Sequence, residues 1–329
     1  MLPCGPKTFC IMKEFKTIDE QIGLLKTRNV LFDDEENAKK ILLNSNYYNI
    51  INGYKDLFLD DINLQTFKKG TIFEEIYAVY EFDRQLRNIF LEYILKIENS
   101  LRSLVAYYFS KTYGNDNYLK IDNFETLKNT NASDETKRKQ LKFIQAMIGN
   151  INKDLANSID NNYINHYIFN YGFIPLWVLV NILSFGEICH FYKLMKQSDR
   201  IKIAKQFNIN ESDLTSLLNL LCTTRNLCAH DERLYNYKFS NTASINNTKY
   251  HSLLGLPIKN KRYLIGKNDL FAVIIALKLL LKEDDYSRFH HKLFSRIMSI
   301  KSKLKTINLQ DLLDLMNFPN NWHDILKMS

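Results

Sequence analysis

Residues 71–113, TIFEEIYAVYEFDRQLRNIFLEYILKIENSLRSLVAYYFSKTY, decide the fold class. No Pro or Gly interrupts them before Gly114. Phe82, Leu86, Ile89, Tyr93, Ile97, Leu101, Leu104, Val105 and Tyr108 recur in steps of three and four, the stripe along one face of a long helix. Asp83, Arg84, Arg87, Glu92 and Arg102 fall on its other faces. Lys68-Lys69-Gly70 reads as the turn before it, and Thr71 with Glu74 as a capping box that opens it.

Upstream, Pro3, Gly5 and Pro6 mark an irregular lead-in. Thr17 and Glu20 make another capping box ahead of Ile22, Leu24 and Leu25. The acidic run Asp33 to Glu36 suits the positive end of a helix carrying Ile41, Leu42 and Leu43. An aromatic patch with a Gly break follows, Asn46 to Tyr54. Downstream, residues 114–132 read as a polar loop, and a helix is expected from about Ser133 to Ala156. Gly172 to Pro175 is a break, with Pro175 in the first turn of a helix covering Leu176 to Met195. Ser198 would cap a short helix, and Asn210 or Ser212 one that carries Leu214 to about Tyr237. Residues 238–266 read as a long loop with room for a β-hairpin. Helices at about 268–283 and 286–305 follow, then a short one near 309–316 and a last one after the Phe318-Pro319 turn.

The chain has 329 residues, 46% of them apolar, with only 10 Gly and 5 Pro. That composition argues against an all-β protein with many tight turns and against a Gly-rich nucleotide-binding fold. The expectation is an all-α protein, with residues 1–70 as a small N-terminal helical extension and 71–329 as the main helical domain. The most apolar run, Leu270 to Leu281, is broken by Lys278 and is shorter than the ~18 residues of a membrane span, so it reads as a buried helix. Five cysteines without a CxxC pair, and no signal peptide, fit the cytoplasm and no membrane partner. The net charge of +8 fits a polyanionic partner such as RNA, and it fits equally a Lys-rich codon usage spread over the chain.

Chemistry concentrates in Arg225-Asn226-Leu227-Cys228-Ala229-His230-Asp231-Glu232-Arg233-Leu234-Tyr235-Asn236. Asn226, His230, Arg233 and Tyr237 would form one polar stripe of a helix, opposite Leu214, Leu217, Leu218 and Leu221. An imidazole can take the proton of an RNA 2′-OH or give one to the leaving 5′-oxygen. A guanidinium can grip the phosphate and stabilise the charge of the pentavalent transition state. This chemistry needs no metal or cofactor. Residues i and i+5 lie about 140° apart on an ideal helix. Arg225 must therefore reach round, or serve the site of a second subunit. The other reading is that this Arg and His hydrogen-bond neighbouring helices.

Weaker candidates each have a plain structural reading. His290-His291 near Asp284 and Asp285 lacks further metal ligands at convincing spacing and reads as a solvated helix start. Cys228 reads as a small core residue, and Glu98 with Arg102 as a surface pair. Tyr47, Tyr48 and Tyr54 could stack on RNA bases or pack in a core. Arg84, Arg87, Arg102, Arg233, Tyr237, Tyr47 and Tyr48 make up the candidate RNA-binding set.

Taken in order, several stretches resemble the Abi family of bacterial abortive-infection proteins, of the AbiD and AbiF kind. They are Asn46-Tyr47-Tyr48 with Gly53-Tyr54; Tyr80 to Arg87 continued by Ile97 to Arg102; Pro175-Leu176-Trp177 with Leu183 to Glu187; Arg225 to His230 with Arg233 to Asn236; and Phe318-Pro319 with Trp322. The resemblance runs from about Lys16 to the C-terminus. It implies a HEPN-like helical bundle and a phage-defence endoribonuclease whose RNA-cutting site falls on Arg225, Asn226 and His230. It also implies a homodimer that faces two such motifs, and a small non-coding RNA that holds the protein in check. Asp231 departs from the pattern, since relatives often carry a second His there. A carboxylate beside an imidazole would favour its charged form. Two rivals stay open: a helical module that binds a structured RNA without cutting it, and a toxin that acts on protein partners after a phage trigger.

Overall fold

A computed structural model describes residues 14–328. The Pro3, Gly5 and Pro6 lead-in, Cys4 and Cys10 lie outside the described residues. The helices are α1 (Ile18–Thr27), α2 (Glu35–Ser45), α3 (Phe73–Tyr113), α4 (Asp134–Asn157), α5 (Asn162–Tyr171), α6 (Leu176–Leu179) and α7 (Phe185–Leu194). They continue with α8 (Gln197–Ala204), α9 (Glu211–Ala229), α10 (Lys249–Leu253), α11 (Leu270–Leu280), α12 (Glu283–Lys301) and α13 (Leu309–Leu315). Besides short 3-10 and π turns there are two small antiparallel hairpins: β1 (Leu59–Asp61) with β2 (Thr66–Phe67), and β3 (Ile258–Lys259) with β4 (Arg262–Tyr263). The protein is all-α, as its composition implies.

Two compact units divide the chain. One holds the described residues up to Phe82 together with Ser299–Leu312, the other Asp83–Met298 with the residues from Leu313 on. In the first, the Thr17–Glu20 capping box opens α1, Asp34 caps α2, and α1 packs on α2. Thr71 and Glu74, read as a capping box, have other partners. Thr71 donates its hydroxyl to the Lys68 carbonyl, and the Glu74 carboxylate accepts the Asp33 and Asp34 N–H groups. The helix therefore starts later, at Phe73. Within that first turn, the buried Glu75 carboxylate accepts the N–H groups of Lys305, Thr306 and Ile307 and the Thr306 hydroxyl.

In the second unit, α9 is the central element, packed by α7, α8 and α11. Its Leu214, Leu217, Leu218 and Leu221 are buried as the stripe demanded. The nearly all-apolar α11 is buried as expected, with Asp269 capping it at Ala272 N–H. On α3, Leu86, Ile89, Tyr93, Ile97, Leu101 and Val105 are buried, and Phe90 and Tyr93 meet Phe289 of α12 edge to face. The loop after α9 contains the expected hairpin. Asn260 and Lys261 both take positive φ (49° and 60°), the geometry that a two-residue turn between twisted strands requires.

Two long helices of the sequence reading are shorter in the structure. The one expected over Leu176 to Met195 is split into α6 and α7. Arg102 donates to the carbonyls of Val180 and Leu183, the acceptors a continuous helix would have used itself. A Ser184–Glu187 capping box then starts α7 afresh. The one expected to run to Tyr237 stops at Ala229. Asp231 turns to φ 57°, and the Glu232 N–H closes back on the Leu227 carbonyl at 3.0 Å. That is a Schellman ending with Asp in the left-handed position usually taken by Gly.

Candidate active site

The corner after α9 is held down by α3. Arg87 is 2% exposed. It donates to Asp83 at 2.7 Å through Nη1 and to Asp231 at 2.5 Å through Nη2. Asp83 in turn accepts the backbone N–H groups of Leu234 at 3.1 Å and Tyr235 at 2.7 Å. The Asp83–Arg87 turn and the Arg225–Asn236 stretch, far apart in sequence, thus meet through these charge-assisted bonds. Two expectations change. Arg87 belongs to this staple rather than to an RNA-facing surface. The Asp231 carboxylate, expected to act on the neighbouring imidazole, is engaged by Arg87.

Because α9 ends early, Asn226, His230, Arg233 and Tyr237 do not share a helix face. Asn226 and His230 are exposed, a turn apart, with the His230 N–H donated to the Asn226 carbonyl at 3.0 Å as the helix closes. Arg233 lies exposed in the following turn, and Tyr237 packs edge to face on Phe239. Arg225 faces α3, its side chain 28% exposed and its Nε 3.5 Å from Glu98 Oε2. Both of those atoms are buried, and neither has a hydrogen-bond partner. They form an ion pair too long to be a hydrogen bond.

Glu98 and Arg102 are no surface pair. Glu98 is buried, and Arg102 spends its guanidinium on Glu98 and on the Val180 and Leu183 carbonyls. Arg102 thus braces α6 and α7 against α3. Cys228 is in the core as expected, and burial pushes its thiol up to about 12. Cys222, a turn before Arg225, was not singled out by sequence. The Cys189 thiol hydrogen-bonds to it and holds it down at about 7, helped by the charges of Lys193 and Arg225.

His290 is not at a solvated helix start. It is buried among Tyr286, Trp322 and His291, and desolvation pushes it down to about 4. Among the described residues no group of three or more His, Cys, Asp or Glu could hold a metal ion. Arg84 is exposed on α3. Tyr47 and Tyr48 belong to the first unit, Tyr47 half-buried and Tyr48 exposed, whereas Tyr54 is core and meets Tyr80 edge to face. No described helix is long and apolar enough to cross a membrane.

A family model described as "Abi-like protein" matches residues 40–236, more than half of the chain. That span takes in α3, α9 and the corner that follows it. No protein of curated function and no solved structure matches.

Proposed function

The chain belongs to the Abi-like protein family, and from that premise we propose that it is an abortive-infection endoribonuclease of the HEPN type. In this reading it acts as a homodimer in the cytoplasm and cuts RNA without a metal. One observation carries the reading: Arg225 approaches Glu98 without completing a hydrogen bond, while Asn226 and His230 stand exposed at the stapled end of the same helix. A purely structural Arg would have its donors satisfied, because a buried unsatisfied donor costs about 1–3 kcal/mol.

RNA brings its own nucleophile. His230 accepts the 2′-OH proton as the 2′-oxygen attacks phosphorus. The bond from phosphorus to the 5′-oxygen then breaks, and that oxygen takes a proton from the His230 of a second copy. The products are a 2′,3′-cyclic phosphate and a free 5′-hydroxyl. Arg225, held by Glu98, stabilises the added charge on the phosphoryl oxygens, and Asn226 orients the phosphate. Arg225 turns to Glu98 while His230 is exposed at the end of α9, which is the reason for two copies: each would bring the group that the other cannot reach.

Incubation of the purified protein with RNA in EDTA is expected to give 2′,3′-cyclic phosphate ends. His230→Ala is expected to slow cutting by roughly 100-fold or more, the usual range for an acid–base group. Equal cutting by the two proteins removes His230 from the mechanism. Salt-sensitive RNA binding by both, without cutting by either, would make the protein a binding module instead.

A further inference from the structure

A second site lies beside this one. A cleft of about 800 Å³ opens between α3 and α6, lined by Asn99, Ser103, Tyr107, Lys111, Trp177 and Asn181 among others. We propose that it is a base-stacking site for unpaired nucleotides of an RNA strand. The inference rests on the reading of RNA as the substrate and adds where, and in what form, the strand is held.

The first ground is the aromatic exposure. Trp177 on α6 is 49% exposed and Tyr107 on α3 is 57% exposed. The other tryptophan, Trp322, is buried against Phe318 and His290. Exposed flat rings in a cleft suit a flat ligand with a π-face, and every base has one. The second ground is what lies between the rings. Asn99 and Ser103 offer donors and acceptors at the scale of a base edge, Asn181 lines the same cleft, and the buried Ser110 hydroxyl has no partner. Lys111 stands at the rim, 5.7 Å from the centroid of Tyr107. Among the described residues that line the cleft there is no carboxylate, which suits a phosphate-bearing strand.

The third ground is position and rigidity. Arg102 lines the cleft and fixes the turn after Trp177 through the Val180 and Leu183 carbonyls, while Asn181 donates to the Trp177 carbonyl at 3.2 Å. The platform is therefore braced rather than loose. The same Arg102 pairs with Glu98, and Glu98 meets Arg225. Arg102 on the cleft wall is thus linked to the proposed phosphate-gripping Arg225 through Glu98. A duplex hides its base faces, so the ligand is a single strand.

The two sites are separable by experiment. Short 2′-O-methyl oligoadenylate lacks the nucleophile and reports binding without cutting. It is expected to quench the emission of Trp177, whereas a duplex of the same length leaves that emission unchanged. Trp177→Ala is expected to weaken oligoadenylate binding, read by anisotropy of a labelled strand, by roughly tenfold or more. Trp177→Phe keeps most of the affinity, which separates stacking from folding. The alanine loss persists at high salt, whereas the smaller loss from Lys111→Ala disappears there. Unchanged affinity in Trp177→Ala, in a preparation whose wild type cuts RNA, overturns the cleft and leaves the nuclease intact. A dimer that falls apart in Trp177→Ala, with RNA affinity unchanged, makes the cleft a contact between copies and overturns the proposal. Quenching without any cutting upholds the cleft and removes the nuclease.

Discussion

Two turns of α3 carry the same motif, an acid and an Arg four residues apart, and they do different work. At Asp83–Arg87 the network is closed. Both Asp83 oxygens accept, both terminal Arg87 nitrogens donate, and the backbone of Leu234 and Tyr235 completes the set. At Glu98–Arg102, about four turns further on, it is open. Arg102 is satisfied, yet Glu98 Oε2 is left with Arg225 Nε at 3.5 Å and no hydrogen bond. A closed buried network fixes a shape, because any rearrangement strands a charge. An open one keeps a charged group oriented but still available. The first pair sets the corner at which α9 ends, and the second aims the Arg proposed to meet the phosphate.

This contrast can be broken by substitution. Asp83→Ala removes a buried carboxylate partner of Arg87 and the acceptor of two backbone N–H groups, so the largest stability loss is expected there, about 3–5 kcal/mol by denaturant unfolding. A loss below 1 kcal/mol would mean that the staple does not fix the corner. Next comes acid sensitivity. His290 is held neutral down to about 4 by burial, below the ordinary 6.5, so only the unfolded chain gains its proton between those values. Stability from this group is complete above about 6.5 and falls as pH drops toward 4, by on the order of 3 kcal/mol. His290→Phe, which suits the aromatic surroundings, is expected to flatten that part of the stability–pH curve. An unchanged slope would assign the acid sensitivity elsewhere.

Glu98→Gln keeps the shape and one acceptor but removes the charge that faces Arg225. A stability loss of about 1–2 kcal/mol is expected, with RNA cutting down at least tenfold through kcat and KM little changed. A fall in stability alone would make Glu98 only a structural partner. Asp231→Asn is the mildest change. The amide tolerates the left-handed backbone and the Asp231 side chain is largely exposed, so less than about 1 kcal/mol is expected.

The comparison also shows which residues could be read in advance. Leu86, Tyr93, Leu101 and the leucines of α9 follow a helical period, and period follows from chain geometry alone. The Thr17–Glu20 box is equally local, and it formed. Asp83, Arg87, Glu98 and Arg102 read as ordinary helix-surface charges, since nothing in spacing says that a partner will arrive from residues 180–235. Trp177 stands out in the sequence only as part of a family-like stretch, because its exposure depends on how α6 sits against α3.

The amino-acid sequence by itself determined that this protein is helical, where most helices begin, which faces are apolar, and which family it resembles. Those properties come from neighbours within a few residues, where sterics, capping and hydrophobic period act. Only the tertiary structure decided where α9 stops, that two acid–Arg pairs are buried, and that Arg225 turns toward Glu98. Each of these depends on a backbone carbonyl, an N–H or a charge supplied from a distant segment. A competing hydrogen bond of that kind outweighs local helix propensity, which differs between ordinary residues by less than about 1 kcal/mol.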